Sequence, residues 1–325
     1  MLGSLRNKLL LSLVFGLVVV FGLMVYGDLP SMVEALGRFK WSLVPAILAL
    51  TLFNYVLRFF KWHYYIGLVG ARDVKITDSF LLFFSGLSMV MTPGKLGEWL
   101  KSYLLREISG VPVSRSAPII LAERLTDGVA MGLLALGGLL LFRMGWEILV
   151  AGAVMVVVAV AITQHRPLAL RLLAGAERLP VVSKRVHHLH EFYESSYVLF
   201  SFKNLLLAIG IGLVSWGGEC VAFYLVLEGL GLQTSWTLLV QSAFILATST
   251  LAGSMLLLPG GLGVAEGGIA ALSQVLVGMP KDSAAVAALL IRFCTLWFGV
   301  AVGIVALTIM TGRMARRSVT ADAKD

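Results

Sequence analysis

Eight ionisable side chains fall inside or beside long apolar stretches: Arg58, Glu98, Glu123, Arg124, Asp127, Glu219, Glu266 and Arg292. At the centre of a bilayer each would cost at least about 2.5–3.5 kcal/mol. Each therefore calls for a partner or a polar cavity. An arginine suits a phosphate, because its planar fork donates two hydrogen bonds at once. The carboxylates can balance those cations, hold a cationic group or carry protons. The plainer reading is that the charges pair with each other and pin helices together. It applies most to Asp127, one helical turn from Glu123 and Arg124.

Two chain breaks accompany the charges. Residues 92–101 read TPGKLGEWLK and residues 258–268 read LPGGLGVAEGG. Aligned on Pro93 and Pro259, both give P-G-x-L-G, with Glu98 and Glu266 following. Proline removes a donor and breaks a helix. Glycine lets backbone approach a ligand or another helix. At membrane depth such breaks are tolerated only where they are buried in protein or line a cavity. Paired Gly/Pro interruptions in two halves of a chain point to a transporter's binding site. The candidate substrate-binding residues are thus Asn54, Arg58, Pro93, Gly94, Gly97, Glu98, Lys101, Glu123, Arg124, Asp127, Glu219, Gly260, Gly261, Gly263, Glu266 and Arg292. Helix starts just past each proline would add backbone donors for an anion. A space rich in both signs suits a zwitterionic or charged lipid headgroup better than a bare inorganic ion.

The elements that position these residues are membrane helices. The 325 residues are 58% hydrophobic and 14% charged, against roughly 25% charged in a soluble chain. Mean hydropathy is +0.91. The net charge of +8 reads as basic cytoplasmic loops rather than a nucleic-acid surface. Cys220 and Cys294 sit in apolar runs and read as small core residues. The apolar run after Arg6 and Lys8 lacks a small-x-small cleavage site and reads as an uncleaved span.

The fold class expected is an all-α integral membrane protein forming one domain over 1–325. Six full spans are expected at 9–26, 42–60, 118–142, 146–163, 204–228 and 284–310. Two re-entrant helical hairpins are expected at 77–105 and 235–277; an eight-span equivalent would keep the same parity. Residues 164–203 are the one long polar stretch. Val186, Leu189, Tyr193, Tyr197 and Phe200 recur there at helical spacing, which predicts a helix lying on the membrane surface. With both termini cytoplasmic, nineteen Lys/Arg lie inside, Lys61 and Lys101 among them, and four lie outside.

This topology makes 42–142 and 204–310 inverted repeats. The spacing agrees. Arg124 follows Pro93 by 31 residues and Arg292 follows Pro259 by 33. Asn54 precedes Pro93 by 39 and Glu219 precedes Pro259 by 40.

Other features carry less. His187, His188 and His190 read as a solvated face, since no Cys or carboxylate cluster completes a metal site. Gly299 and Gly303 form a GxxxG that close helix packing explains. The Gly-rich breaks follow no predicted strand and lack Gly-Lys-Ser/Thr, so they are not nucleotide loops. No cofactor is expected.

Four motifs in order carry a family resemblance. They are Asn54-x3-Arg58-x2-Lys61-Trp62, Pro93-Gly94-x-Leu96-Gly97-Glu98-x2-Lys101, Glu123-Arg124-x2-Asp127 and Pro259-Gly260-Gly261-Leu262-Gly263-x2-Glu266. Together they resemble the lysylphosphatidylglycerol synthase transmembrane region, the flippase-like domain of the multiple peptide resistance factors, over about residues 5–312. The resemblance implies movement of a phospholipid, an aminoacyl-phospholipid or a polyprenyl-linked lipid between leaflets of a bacterial inner membrane. The soluble synthase domain of the two-part factors is not seen, so translocation rather than synthesis is expected, and no enzyme activity. The partners expected are membrane lipids and a separate lipid-synthesising enzyme; self-association is left open. The alternatives are a membrane-embedded lipid-modifying enzyme, which would use the carboxylates as acid and base, and a scaffold that recruits a synthase through 164–203.

Overall fold

The computed structural model describes residues 2–90, 92, 96–142, 146–177, 186–255 and 259–322, and all of their regular structure is helical. α1 (Leu2–Gly27) meets α2 (Leu29–Arg38) at a bend of 94°. Asp28 makes the corner at φ 63° and caps α2: its carboxylate accepts from the Ser31 hydroxyl at 2.8 Å. Pro30 sits in the first turn of α2, where its missing N–H costs nothing. A single turn, Trp41–Leu43, leads into α3 (Val44–Leu68). α4 (Ile76–Leu87), α5 (Leu96–Ser109), α6 (Val113–Phe142), α7 (Trp146–Gln164), α8 (Arg166–Glu177) and α9 (Val186–Leu199) follow. α10 (Phe202–Gly229) and α11 (Trp236–Met255) come next, then the short turn Pro259–Gly261. α12 (Val264–Leu272) runs on into a π turn at Ser273–Val277. α13 (Lys281–Arg292) runs through a second π turn, Phe293–Trp297, into α14 (Phe298–Asp322).

Among the described residues, four helical stretches are long and apolar enough to cross a membrane: Trp41–Leu68, Phe202–Gly229, Trp236–Met255 and Lys281–Met314. The bent pair Gly16–Gly27 and Leu29–Arg38 makes a fifth if it counts as one span. The outward faces carry exposed Leu206, Val214, Ile304 and Val305, as a lipid-facing surface requires.

Several expectations change. The polar stretch after the first span is the capped helix α2. The second span does not end at Phe60 but continues eight residues to Leu68. Lys61, expected in a cytoplasmic loop, is 1% exposed inside α3. Lys101, counted on the same side, is also buried. Removing both leaves the Lys/Arg bias in place. α4, at 12 residues or about 18 Å, is as short as the hairpin reading requires against a core of roughly 30 Å. α11 is not: its 20 residues reach about 30 Å, because no proline interrupts it. The expected spans 118–142 and 146–163 exist as α6, 30 residues long, and α7, 19 residues long. The helix expected on the membrane surface, α9, packs on α6, with Tyr193 and Phe200 buried. Glu191 ties it there, accepting from the Ser114 hydroxyl at 2.5 Å and from Arg115 Nε at 3.0 Å. The Ser114 bond and the Arg115 charge hold the Glu191 carboxyl below its ordinary range.

The helices pack as two related sets. α3 lies along α10. α4 packs on α14, and α11 packs on α6. Within each set α4 contacts α5 as α11 contacts α12, and α5 contacts α6 as α12 contacts α13. Exchanging the two sets reproduces this contact pattern. One apolar core gathers Phe59, Trp62, Tyr65, Leu82, Phe83 and Leu105. A second gathers Ile47, Phe223, Val226, Ile245, Ile269 and Ile291.

The GxxxG expectation acquires partners. A methyl on Gly303 would overlap the Ser88 amide nitrogen, and one on Gly299 would lie 2.6 Å from the Tyr55 hydroxyl. α14 therefore approaches the end of α4 backbone to backbone. Gly303→Ala is expected to destabilise the fold by about 1–3 kcal/mol, the usual range for overpacking. Thermal unfolding in detergent would read this as a lowered midpoint, with Gly312→Ala, where no atom lies within 4 Å of the added methyl, as the unaffected control.

Candidate functional site

On α3, Asn54, Arg58 and Lys61 follow at steps of four and three, which places them on one face. That face meets α6 and α10. Lys61 Nζ lies 2.5 Å from Asp127 Oδ1 and 3.3 Å from Thr126 Oγ1. Arg58 Nε lies 3.7 Å from Asp127 Oδ2, which is ionic contact and too long for a hydrogen bond. Arg58 Nε and Asp127 Oδ2 are both buried without a hydrogen-bond partner among the described residues. The Arg58 guanidinium stands 5.4 Å over the Trp216 ring of α10. Arg124 is engaged too, within electrostatic reach of Asp127.

Across the α3–α10 contact, Asn54 Nδ2 donates to Glu219 Oε2 at 3.3 Å. Asn54 is 0% and Glu219 7% exposed. Both Arg58 and Arg292 act electrostatically on Glu219, but neither forms an ion pair with it.

The second break is built around Arg292. Its Nε donates to Glu266 Oε1 at 2.6 Å, and its Nη2 to the Gly260 carbonyl at 2.5 Å. Glu266 Oε2 in turn accepts from the Gly263 amide at 2.6 Å, capping α12. Gly260, Gly261 and Gly263 have φ of 59°, 68° and 85°, a region that disfavours side chains. The turn's shape needs those glycines, and the shape aims the Gly260 carbonyl at Arg292. The π turn directly after Arg292 places the Thr295 carbonyl where Tyr55 Oη donates to it. Such turns recur at functional sites.

In the first half the corresponding contact joins Lys101 Nζ of α5 to Glu123 Oε2 of α6 at 2.6 Å. Lys101 also lies 4.4 Å over Trp62 and 5.3 Å over Phe83. Lys101 follows Pro93 by eight residues and Glu266 follows Pro259 by seven; Glu123 follows Pro93 by 30 and Arg292 follows Pro259 by 33. Each pair ties the arm after a break to the next helix. The two pairs have opposite polarity.

So Asn54, Arg58, Asp127 and Glu219 share one region, Glu266, Arg292 and the glycines a second, and Lys101 with Glu123 a third. Pro93 and Gly94 lie outside the described residues, as do the side-chain surroundings of Glu98. Gly97 lies in the first turn of α5. Thr126 and Trp216 were missed as site residues, and Lys61 and Trp62 stood in the first motif without being counted among the candidates. The three-residue step from Arg58 would have found Lys61; nothing local announces Trp216, on a helix 158 residues away. Among the described residues no three His, Cys, Asp or Glu side chains converge on a metal site.

The fold and these buried charges define a multi-pass integral membrane protein. The chain belongs to the lysylphosphatidylglycerol synthase TM region family, whose model matches residues 9–303. It is 24% identical over 305 residues to a UPF0104 membrane protein of Methanothermobacter thermautotrophicus, covering 88% of this chain and 89% of that one. A second UPF0104 membrane protein from the same organism is 28% identical over 235 residues, 65% of this chain and 68% of its own.

Asp127 holds two cations, so removing its charge has a defined consequence. Asp127→Asn is expected to cost about 3–5 kcal/mol, the range for a buried charge stripped of its partner. Lys61→Met combined with Asp127→Leu is expected to recover the part of that loss due to Lys61 in thermal unfolding, Arg58 remaining without its counter-ion. Equal losses in the single and double variants would contradict the pairing.

Proposed function

We propose that this protein moves a phosphate-bearing lipid between the leaflets of the cytoplasmic membrane, with both termini inside. The headgroup passes between the two sets of helices while its chains stay in lipid. The carrying observation is Arg58: a partly buried guanidinium between the halves whose Nε is buried and has no hydrogen-bond partner among the described residues. A phosphate oxygen would complete it. Arg292 is already satisfied by Glu266 and Gly260, so it binds a phosphate only by letting go of the hairpin. That exchange would link headgroup arrival to movement of α12. The mirrored contact pattern supports rocking of one half against the other. The lipid class is a phospholipid, an aminoacyl-phospholipid or a polyprenyl-linked lipid, supplied by a separate synthesising enzyme. The re-entrant reading of α4–α5 and α11–α12 belongs to this proposal.

The test is leaflet exchange of a fluorescent phospholipid in liposomes holding the purified protein. Arg58→Ala and Arg292→Ala are each expected to slow exchange about tenfold or more, which is what losing a charge-assisted hydrogen bond of about 1.5–3 kcal/mol gives. Arg292→Lys, which keeps charge opposite Glu266, is expected to fold and to recover only part of the rate. The recovered lipid should be chemically unchanged. Wild-type rates in both alanine variants would contradict the proposal, and an altered lipid would favour the enzyme reading.

A further inference from the structure

Glu219 differs from the other described buried carboxylates in its company. Asp127 faces Lys61 and Arg58, Glu123 faces Lys101, and Glu266 faces Arg292, all within 4 Å. Glu219 has one hydrogen-bond partner among the described residues, the neutral amide of Asn54. It sits well inside a 28-residue helix, 17 residues from its start. An ionised carboxylate there meets a large desolvation cost, and taking up a proton removes it.

The partner is matched to both states. As placed, Asn54 donates through Nδ2, which serves the ionised carboxylate, and its Oδ1 is buried without a partner. Turned over by half a rotation, the same amide presents Oδ1 to accept from the hydroxyl of a protonated acid. The charged and titratable groups around Glu219 are Tyr55 and Arg58 of α3, Asp127 of α6, Arg292 of α13, and Cys220 beside it. The α11 segment contributes none. Asp127 is held by Lys61 and Arg58, and Arg292 by Glu266.

We propose that Glu219 is a proton-binding site, and that the proton is the ion coupled to lipid movement; the coupling rests on the translocation reading above. The carboxylate takes a proton from water on one side, becomes the neutral acid, and returns it on the other side. No other bond changes. The lipid phosphate connects to this site through the arginines. With no anion bound, Arg58 and Arg292 favour the ionised carboxylate. A phosphate seated on them offsets their charge and raises the proton affinity of Glu219. By linkage the proton favours phosphate binding to the same degree. Asn54 and Glu219 occupy corresponding positions in the two halves, 39 and 40 residues before the respective prolines. Their contact crosses the boundary between the halves, so a change in its hydrogen bonding acts where rocking occurs.

Infrared difference spectroscopy of the purified full chain reads the site directly. Wild type is expected to show the carbonyl stretch of a buried carboxylic acid growing as pH falls, and Glu219→Gln is expected to lack it. Adding short-chain phosphatidylglycerol should move the midpoint to higher pH, and Asn54→Leu, which removes the donor to the ionised form, should do the same. No band in wild type, or the same band in Glu219→Gln, would overturn the site. In liposomes, a pH gradient should shift the steady-state ratio of labelled lipid between leaflets by up to about tenfold per pH unit, the limit for one proton per lipid. Glu219→Gln should leave that ratio unmoved by the gradient. A wild-type ratio indifferent to the gradient would overturn the coupling. Absent lipid exchange alongside an intact infrared band would contradict the translocation reading and leave the proton site standing.

Discussion

Asp127 is the residue on which the arrangement of the first half turns. One carboxylate on α6 faces two cations on α3, Lys61 at 2.5 Å and Arg58 at 3.7 Å. Without it neither cation could be buried, because an unpaired charge in a low-dielectric interior is costlier than the packing around it returns. With it, α3 continues past Phe60 to Leu68 and places Trp62 and Tyr65 in the core. Trp62 then lies under Lys101, whose other partner is Glu123. The chain of contacts runs from α3 through α6 to α5, and each step is a charge matched or a ring covered.

The second half solves the same problem with different parts. Its arm after the break offers a carboxylate where the first offers an ammonium, and its next helix an arginine where the first has a glutamate. Arg292 also engages a backbone carbonyl that the glycine conformations turn toward it. Backbone and side chain therefore share one fixture at the second break. At the boundary between halves the match is weaker: a neutral amide meets a carboxylate, and polar atoms of Asn54, Arg58 and Asp127 have no hydrogen-bond partner among the described residues. Among the described residues, the paired charges after each break and the partial pairing between the halves mark the latter as the place where polar atoms lack partners.

Much of this was legible in the sequence because burial of charge is expensive and leaves a visible pattern. Arg58, Asp127, Glu219, Glu266 and Arg292 stood out as ions in apolar runs; the first three share one region and the last two pair at the second break. The glycines of the second break were legible from composition, and their positive φ values explain them. What was not legible depended on partners far away in the chain. Lys61 looked like a loop charge, and Lys101 was a candidate without a named partner, because sequence shows a residue's type and not its counter-ion. The helix 186–199 had the period of a membrane-surface helix, but that period does not say whether lipid or α6 covers its apolar side.

The central claim is that this fold carries lipid headgroups across the membrane, and leaflet exchange by the wild-type protein tests it most directly. Fluorescent phospholipid is placed in both leaflets of liposomes, and an impermeant quencher is added outside. Translocation would let the quencher consume fluorescence beyond the outer leaflet's share, in every vesicle that holds protein. Quenching that stops at that share, with folded protein present and several headgroups tried, would contradict the account.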